Sequence, residues 1–391
     1  MPGAGWAFSH NRWTFIERDA AAPTKPLRLE RGLSIATLNC LHDLKDPELL
    51  HHNIRHEAIF QELKALDADV IGLNEVTRTL LEKILQLEWV RKHYTVSAVP
   101  DDLICNHLST VSAGGFGNLL LSRIAPMAVE YVEQPGDGRH GHVMSLCVLD
   151  SVSNGPFQIA VCSSHFTAAP WIMEGRRRQQ LHCITSALTS SVSVGIGSGV
   201  RGDCGGGVGS GHGSAEGSSG DSGGDSGVGS DEDGSVGGKG GEGAGFDACI
   251  IMGDFNFHRE QENASIPTGW SELPAVVALG GTWDVGCNSL LPHYLPLRNL
   301  YNGFGISARL GWPSPMRLDR ILVYGAAVDR SAATAHLFAD QPIHERARAR
   351  TALPQTGHEL REAHRALPWQ EYLHPSDHFG IVVKLPLTKD L

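Results

Sequence analysis

Cys249-Ile250-Ile251-Met252-Gly253-Asp254-Phe255-Asn256 is an apolar run halted by a glycine and followed at once by an aspartate and an asparagine two residues apart. Consecutive apolar residues of this kind read as a strand buried on both faces. An i, i+2 spacing in extended chain puts Asp254 and Asn256 on one side. Facing one point, that pair can take a proton from water and orient it, or hold a phosphoryl oxygen.

Other expected strands end in the same manner. Ser34 to Leu38 leads into Asn39-Cys40, and Ala68 to Leu73 leads into Asn74-Glu75-Val76. A carboxamide and a carboxylate at neighbouring strand ends are hard oxygen ligands suited to Mg²⁺, which keeps several waters and needs only one or two protein carboxylates. Phe157 to Ser163 runs into Ser164-His165-Phe166, which sets an imidazole at a strand end. Arg317 to Tyr324 carries Asp319 inside an otherwise apolar run, where a carboxylate is costly unless paired. A partner is offered by Pro375-Ser376-Asp377-His378-Phe379-Gly380, just before the last strand, Gly380 to Leu385. Asp319 can fix the tautomer of His378 and favour its protonated form, which leaves the other N–H for a developing phosphorane oxygen. Taken singly, each residue also has a plainer reading: Asn39 as a turn or cap, Glu75 at an exposed helix N-terminus, His165 as a structural histidine.

Between these strand ends the chain alternates apolar runs with helical spacing, the mark of an α/β layered domain. Asn118 to Leu121 and Val143 to Leu149 are further strands. Outer helices are expected around Ile54, Ala58, Leu63 and Leu66, around Leu80, Leu81, Ile84 and Leu85, over Gly175 to Leu188, and over Trp270 to Leu279. One domain is expected over 33–385, preceded by an arm over 1–32 that carries Trp6, Phe8, Trp13 and Phe15, and followed by a tail over 386–391. An insertion over 192–245 holds 23 of the 46 glycines, and its glycine, serine and aspartate bury too little apolar surface to offset their ordering entropy.

Eight acids against two bases in that insertion account for six of the eleven excess negative charges of the 391-residue chain. The remainder is mildly acidic, so contact with a polyanion must rest on a local patch. Arg176, Arg177 and Arg178, with a solvated helix face as the alternative, and Arg346, Arg348 and Arg350, in an expected loop near Asp377-His378, are the candidates. The eight cysteines contain no CxxC pair and read as reduced core thiols of an intracellular protein, nuclear or cytoplasmic and not secreted. No apolar run approaches the roughly 18–20 residues of a membrane span, and no basic start followed by an apolar core marks a secretory signal.

Taken in order, Thr37-Leu38-Asn39-Cys40, Asn74-Glu75-Val76, Ser163-Ser164-His165-Phe166, Gly253-Asp254-Phe255-Asn256 with Arg317-Leu318-Asp319-Arg320-Ile321, and Pro375 to Gly380 resemble the endonuclease/exonuclease/phosphatase superfamily. The resemblance covers roughly Leu33 to Leu385 without the insertion. It implies a deoxyribonuclease I-like fold: a four-layer α/β sandwich of two face-to-face mixed β-sheets with outer helices. It further implies that Asn39 and Glu75 hold Mg²⁺, with Mn²⁺ a possible substitute, and that Asp377 is the acid beside the metal. By the same resemblance Asp254 activates water, Asn256 positions it, Asp319 orients His378, and His378 and His165 contact the phosphate.

Within the superfamily, Pro315-Met316-Arg317-Leu318-Asp319 departs from the Pro-Ala-Trp-Cys-Asp of inositol-polyphosphate 5-phosphatases, and the membrane spans of sphingomyelinases have no counterpart. Thr282-Trp283-Asp284, Arg317 to Ile321 and Pro375 to Gly380 are similar to the 5′-tyrosyl-DNA phosphodiesterases. That resemblance implies a metal-dependent phosphoric diester hydrolase acting in DNA end repair. Its partner is nucleic acid, DNA 5′ ends in particular, with no membrane contact and a monomeric state. Trp283 would be a stacking platform, with a core residue as the alternative, and Arg176 and His258 further substrate contacts. The chain departs from that branch at Leu38, where a tryptophan is usual, and at His258-Arg259, where the arginine usually comes one residue earlier. Two other expectations stand beside it: a different nuclease or phosphoesterase of the same superfamily, acting on RNA, abasic DNA or a small phosphodiester, and a non-catalytic interaction protein that uses the insertion as a tether.

Overall fold

The computed structural model describes residues 3–9, 12–17, 27–29, 32–43, 47–99, 115–136, 140–150, 156–168, 173–190, 245–284, 287–288, 290, 315–343 and 373–388. The expected insertion, apart from Gly245, lies outside the described residues, as do Arg346, Arg348, Arg350, Cys105, Cys204 and the tail beyond Thr388.

In chain order the strands begin with β1 (Gly3–Ser9), β2 (Arg12–Glu17), β3 (Leu27–Leu29), β4 (Leu33–Asn39) and β5 (Val70–Thr77). Next come β6 (Thr95–Val96), β7 (Phe116–Ser122), β8 (Ala128–Glu133), β9 (His140–Asp150) and β10 (Pro156–Ser163). The last are β11 (Ala248–Asp254), β12 (Ser271–Glu272), β13 (Asp319–Tyr324), β14 (Thr334–Phe338) and β15 (Gly380–Leu385). The helices are α1 (Pro47–Leu50), α2 (His52–Leu66), α3 (Arg78–Ile84), α4 (Glu88–His93), α5 (Glu174–Ser190) and α6 (Pro274–Val277), with a 3₁₀ turn at Glu260–Ser265.

One sheet runs β12-β13-β11-β10-β9-β8 and the other β6-β7-β5-β4-β15-β14. Between them β1 makes single pairings, Gly3 with Val129 of β8 and Trp6 with Val96 of β6, so the N-terminal hairpin straps the two sheets along one edge. Both sheets are mixed: β10 is parallel to β11 and antiparallel to β9, while β4 is parallel to β5 and antiparallel to β15.

Strand alternation explains why the sheets stack. In β4, Leu33 and Ile35 enter a core shared with Ile159 and Val161 of β10, Ile250 and Met252 of β11, and Ile321 and Val323 of β13. The intervening Ala36 and Leu38 turn outward to Ile59, Phe60 and Leu63 of α2 and Leu80, Leu81 and Ile84 of α3. On the far side, Ala160, Cys162, Cys249, Ile251 and Leu322 turn outward to Leu181, Ile184 and Leu188 of α5. Helix, sheet, sheet, helix is the order of layers, and it explains runs that are apolar at every position. Gly72 of β5 lets the sheets close, because a Cβ there would lie 2.7 Å from Met252 Cε.

Differences from expectation are local. Trp270 to Leu279 is not one helix, since Leu273-Pro274 divides it into β12 and the single turn α6. The strand expected from Arg317 begins at Asp319, because Met316 is taken up by a bridge to Trp283. Cys40, Cys162 and Cys249 are buried free thiols with pKa pushed up by burial, and Cys287 is exposed. Among the described residues no helix is long and apolar enough to cross a membrane.

Candidate active site

Six strands bring polar side chains to one end of the sandwich. Asn39 lies opposite Asn74 in the β4–β5 ladder, Asp254 lies opposite Asp319 in β11–β13, and the start of β15 follows His378. Gly253 adopts φ +137°, and a Cβ on it would stand 2.0 Å from Ser164 O and 2.8 Å from Asn74 Oδ1. Only glycine allows that approach, which carries the Asp254 N–H to Asn74 Oδ1 at 3.0 Å. The same amide donates to Asn118 Oδ1 at 2.7 Å and Ser163 Oγ at 3.3 Å, joining both sheets behind the site.

A bulge aims Glu75. Between the pairs Leu73–Leu119 and Val76–Gly117 the register slips, and Glu75 takes φ +57°. Its carboxylate accepts from the Asn39 amide at 3.1 Å and from the His42 N–H at 2.9 Å. Asn39 also donates to Asp254 Oδ2 at 3.0 Å and accepts the Leu41 N–H at 3.0 Å. Asp254 Oδ1 in turn accepts the Asn256 N–H at 2.8 Å, and the Asn256 amide donates to Phe166 O at 3.1 Å.

Imidazoles line the other side. His378 Nδ1 is 2.8 Å from Asp319 Oδ2, as the sequence pairing requires, and its Nε2 stands 3.8 Å from Asp254 Oδ2. His165 Nε2 lies 3.5 Å from Asp254 Oδ2 and 4.0 Å from Glu75 Oε1. Phe116 is stacked between the rings of His42, at 4.7 Å, and His165, at 5.8 Å. Thr282 holds the arrangement from behind, its Oγ1 accepting the Asp319 N–H at 3.0 Å and its carbonyl the Phe379 N–H at 2.7 Å.

Electrostatics separate the groups. Burial raises the Asp254 carboxyl to about 7, against the attraction of His378 and with the repulsion of Asp319 adding to it. Burial alone would discharge His378, yet Asp319, Asp377 and Asp254 hold its pKa well above the ordinary histidine value. For Glu75 burial is outweighed by His42, His165 and its two hydrogen bonds, which bring the carboxyl down to about 2. A carboxyl more acidic when folded contributes stability above its unfolded value near 4.5 and loses it as pH falls through about 2. Urea unfolding should therefore show wild type and Glu75→Gln converging in stability as pH falls over that window. Parallel curves would remove Glu75 from this balance.

Of the eleven residues expected at the site, the described contacts bring together Asn39, Glu75, His165, Asp254, Asn256, Asp319 and His378. Asp377 is buried next to His378, with its Oδ1 3.4 Å from Ser376 Oγ. The other three lie elsewhere in their contacts. Trp283 is 3% exposed and pairs with Met316, so it packs and presents no open face. Arg176 is half-buried against Gly136. His258 donates its N–H to Glu262 Oε1 at 2.9 Å, beside the buried Arg177–Glu262 pair at 2.7 Å, and burial with Arg177 lowers its imidazole to about 4. Sequence reading passed over His42, Asn74, Asn118, Thr282 and Ser376. Three of these stood within quoted motifs, Asn74 beside Glu75, Thr282 beside Trp283 and Ser376 beside Asp377, while His42 and Asn118 had no such signal.

Among the described residues no group of three or more His, Cys, Asp or Glu is placed to hold a metal ion. The donor types nonetheless fit a hard dication: Glu75 stays ionised, and the Asn39 amide, which here turns its nitrogen to Glu75 and its oxygen to the Leu41 N–H, would offer its oxygen once turned over. One carboxylate, one amide oxygen and water are the donors that Mg²⁺ accepts.

Residues 36–191 match the model of the Endonuclease/Exonuclease/phosphatase family. Among solved structures, TDP2 from C. elegans is similar with a TM-score of 0.50 at 14% identity, over 90% of this chain and 74% of that one. D. rerio TDP2 complexed with single strand DNA product gives a TM-score of 0.49 at 14% identity, over 90% of this chain and 98% of that one. The human Nocturnin catalytic domain with bound sulfate anion gives 0.45 at 14% identity, over 92% and 96%. No curated protein matches the chain. The family resemblance is borne out over 36–191, which contains the motifs at Asn39, Glu75 and His165, and the deoxyribonuclease I-like sandwich by the fold.

Proposed function

We propose that this chain is a Mg²⁺-dependent phosphodiesterase, with Mn²⁺ as a substitute, which hydrolyses its substrate by in-line attack of water without a covalent enzyme intermediate. The observation that carries the reading is the environment of Asp254: a carboxyl with its pKa raised to about 7 by burial, flanked by His378 Nε2 at 3.8 Å and His165 Nε2 at 3.5 Å. A base poised near neutrality beside a protonated imidazole suits removal of a proton from water while charge grows on phosphorus-bound oxygens. Asp254 takes the proton, and Asn256 positions the water. His378, its other nitrogen fixed by Asp319, donates Nε2–H to a phosphoryl oxygen, and His165 donates to a second oxygen or to the leaving group. Glu75 and Asn39 would hold the Mg²⁺, with Asp377 close by. When bound, that ion polarises the phosphoryl group and stabilises the leaving oxyanion.

For substrate we infer a 5′-phosphotyrosyl DNA end, and the protein acts in this reading as a monomeric repair hydrolase. Support comes from Thr282-Trp283-Asp284, Arg317 to Ile321 and Pro375 to Gly380 as a set. The burial of Trp283 favours a second reading, a hydrolase of the same fold acting on another phosphodiester, because the stacking face is not presented. The deciding experiment is cleavage of a 5′-tyrosyl single-stranded oligonucleotide, with Mg²⁺ and with a chelator, against an unmodified strand, an abasic duplex and RNA. Chelator-sensitive release of tyrosine is expected. Cleavage confined to the other substrates would move the assignment to the second reading, and no cleavage of any would end the phosphodiesterase proposal.

A further inference from the structure

Arg55 belongs to α2, in an outer helical layer, yet it is 0% exposed and reaches away from its helix face into two loops. Nε donates to Leu50 O at 3.2 Å, Nη1 to Cys40 O at 3.1 Å and to Pro375 O at 2.9 Å, and Nη2 to Leu41 O at 2.8 Å. Cys40 and Leu41 follow Asn39 directly, and the Leu41 N–H is the one that Asn39 Oδ1 accepts. Pro375 opens the segment that carries Asp377 and His378. There Ser376 Oγ donates to Asn39 O at 2.5 Å and accepts the His378 N–H at 3.3 Å. One planar group on α2 therefore clamps two loops, one at Cys40 and Leu41 and the other at Pro375, 320 positions from Arg55 itself.

We propose that Arg55 is a positioning residue that sets the register between the Asn39–Glu75 side of the site and the Asp319–His378 side, without touching substrate. The proposal rests on the phosphodiesterase reading for its kinetic consequence only. A guanidinium presents five N–H groups in a rigid fork, whereas an ammonium has three on a flexible stem. Burying a cation to fill space would be wasteful, since an apolar side chain of that volume costs less to desolvate. What the fork adds is simultaneous reach to carbonyls of both loops. A displacement near 1 Å between base and imidazole is enough to slow a reaction by about 100-fold.

Arg55→Lys in the full chain is the test, with melting temperature as the check on folding. Two measurements decide. The first is the low-field NMR signal of the His378 Nδ1 proton shared with Asp319, assigned by its loss in His378→Asn, which needs no activity. The second is steady-state hydrolysis of the substrate that wild type cleaves. In a folded Arg55→Lys the signal should shift or broaden away, and kcat should fall about 10–100-fold with KM within about two-fold. Adding guanidinium to Arg55→Ala should restore part of both. A folded Arg55→Lys with the wild-type signal and wild-type kcat overturns the proposal. If that variant does not fold, Arg55→Gln, whose single amide cannot reach the carbonyls of both loops at once, is judged by the same two measurements. If wild type itself cleaves nothing, the phosphodiesterase reading fails alone, and the NMR signal still decides the role of Arg55.

Discussion

Asp254→Asn is expected to lower kcat by about 1000-fold or more while leaving the protein more stable than wild type at neutral and alkaline pH. Both effects come from the same burial. A carboxyl whose pKa is raised to about 7 in the folded state binds its proton more tightly there than in the unfolded chain, where the value is near 3.8. Its contribution to stability is therefore present below the unfolded value and is lost as pH rises through about 7. A neutral amide of the same shape escapes that loss. Urea unfolding at about pH 8, where an ordinary carboxylate is fully ionised, measures it directly. The rate profile should follow: kcat/KM rises through about 7 as Asp254 gives up its proton, then falls at higher pH as His378, held well above its ordinary value, loses its own. Near-wild-type turnover in Asp254→Asn would remove the base from the mechanism, and a less stable variant would refute the burial argument.

Gly253→Ala carries the largest expected cost to folding, more than about 3 kcal/mol. The position combines φ +137° with a Cβ 2.0 Å from a backbone oxygen, Ser164 O, which cannot rotate away. Relief requires the β11 end to move, and Asp254 moves with it, so turnover should fall together with stability. Gly72→Ala is the control. It meets the tip of a flexible side chain, Met252 Cε at 2.7 Å, and is expected to cost about 1–2 kcal/mol. Equal midpoints of urea unfolding for the two variants would show that backbone approach at Gly253 is not the constraint described above.

The strands were legible because burial on both faces leaves unbroken apolar runs, and β4, β10, β11 and β15 fall where those runs lie. The candidate set was legible because carboxylates, amides and imidazoles at the ends of apolar runs are costly and stand out. What escaped are contacts that depend on register. Nothing in the text around His42 says that a bulge at Glu75 will turn a carboxylate to its N–H. Nor can the spacing of Asn118 announce its bond to Asn74, because that depends on which strands become neighbours. Trp283 shows the converse: a motif match gives a residue a role, and the bridge to Met316 gives it a packing environment instead. The break of 270–279 at Pro274 was visible as a proline, but helical spacing hid the short strand before it.

The pairing of β15 with β4 joins nearly the whole length of the chain, Ile381 against Thr37 and Leu385 against Leu33. His378 follows Asn39, Glu75, His165, Asp254 and Asp319 in the chain, so a nascent chain holds the rest of the candidate set before the imidazole that Asp319 pairs with. A fragment that stops before His378 leaves β4 without its antiparallel neighbour and Asp319 without its imidazole.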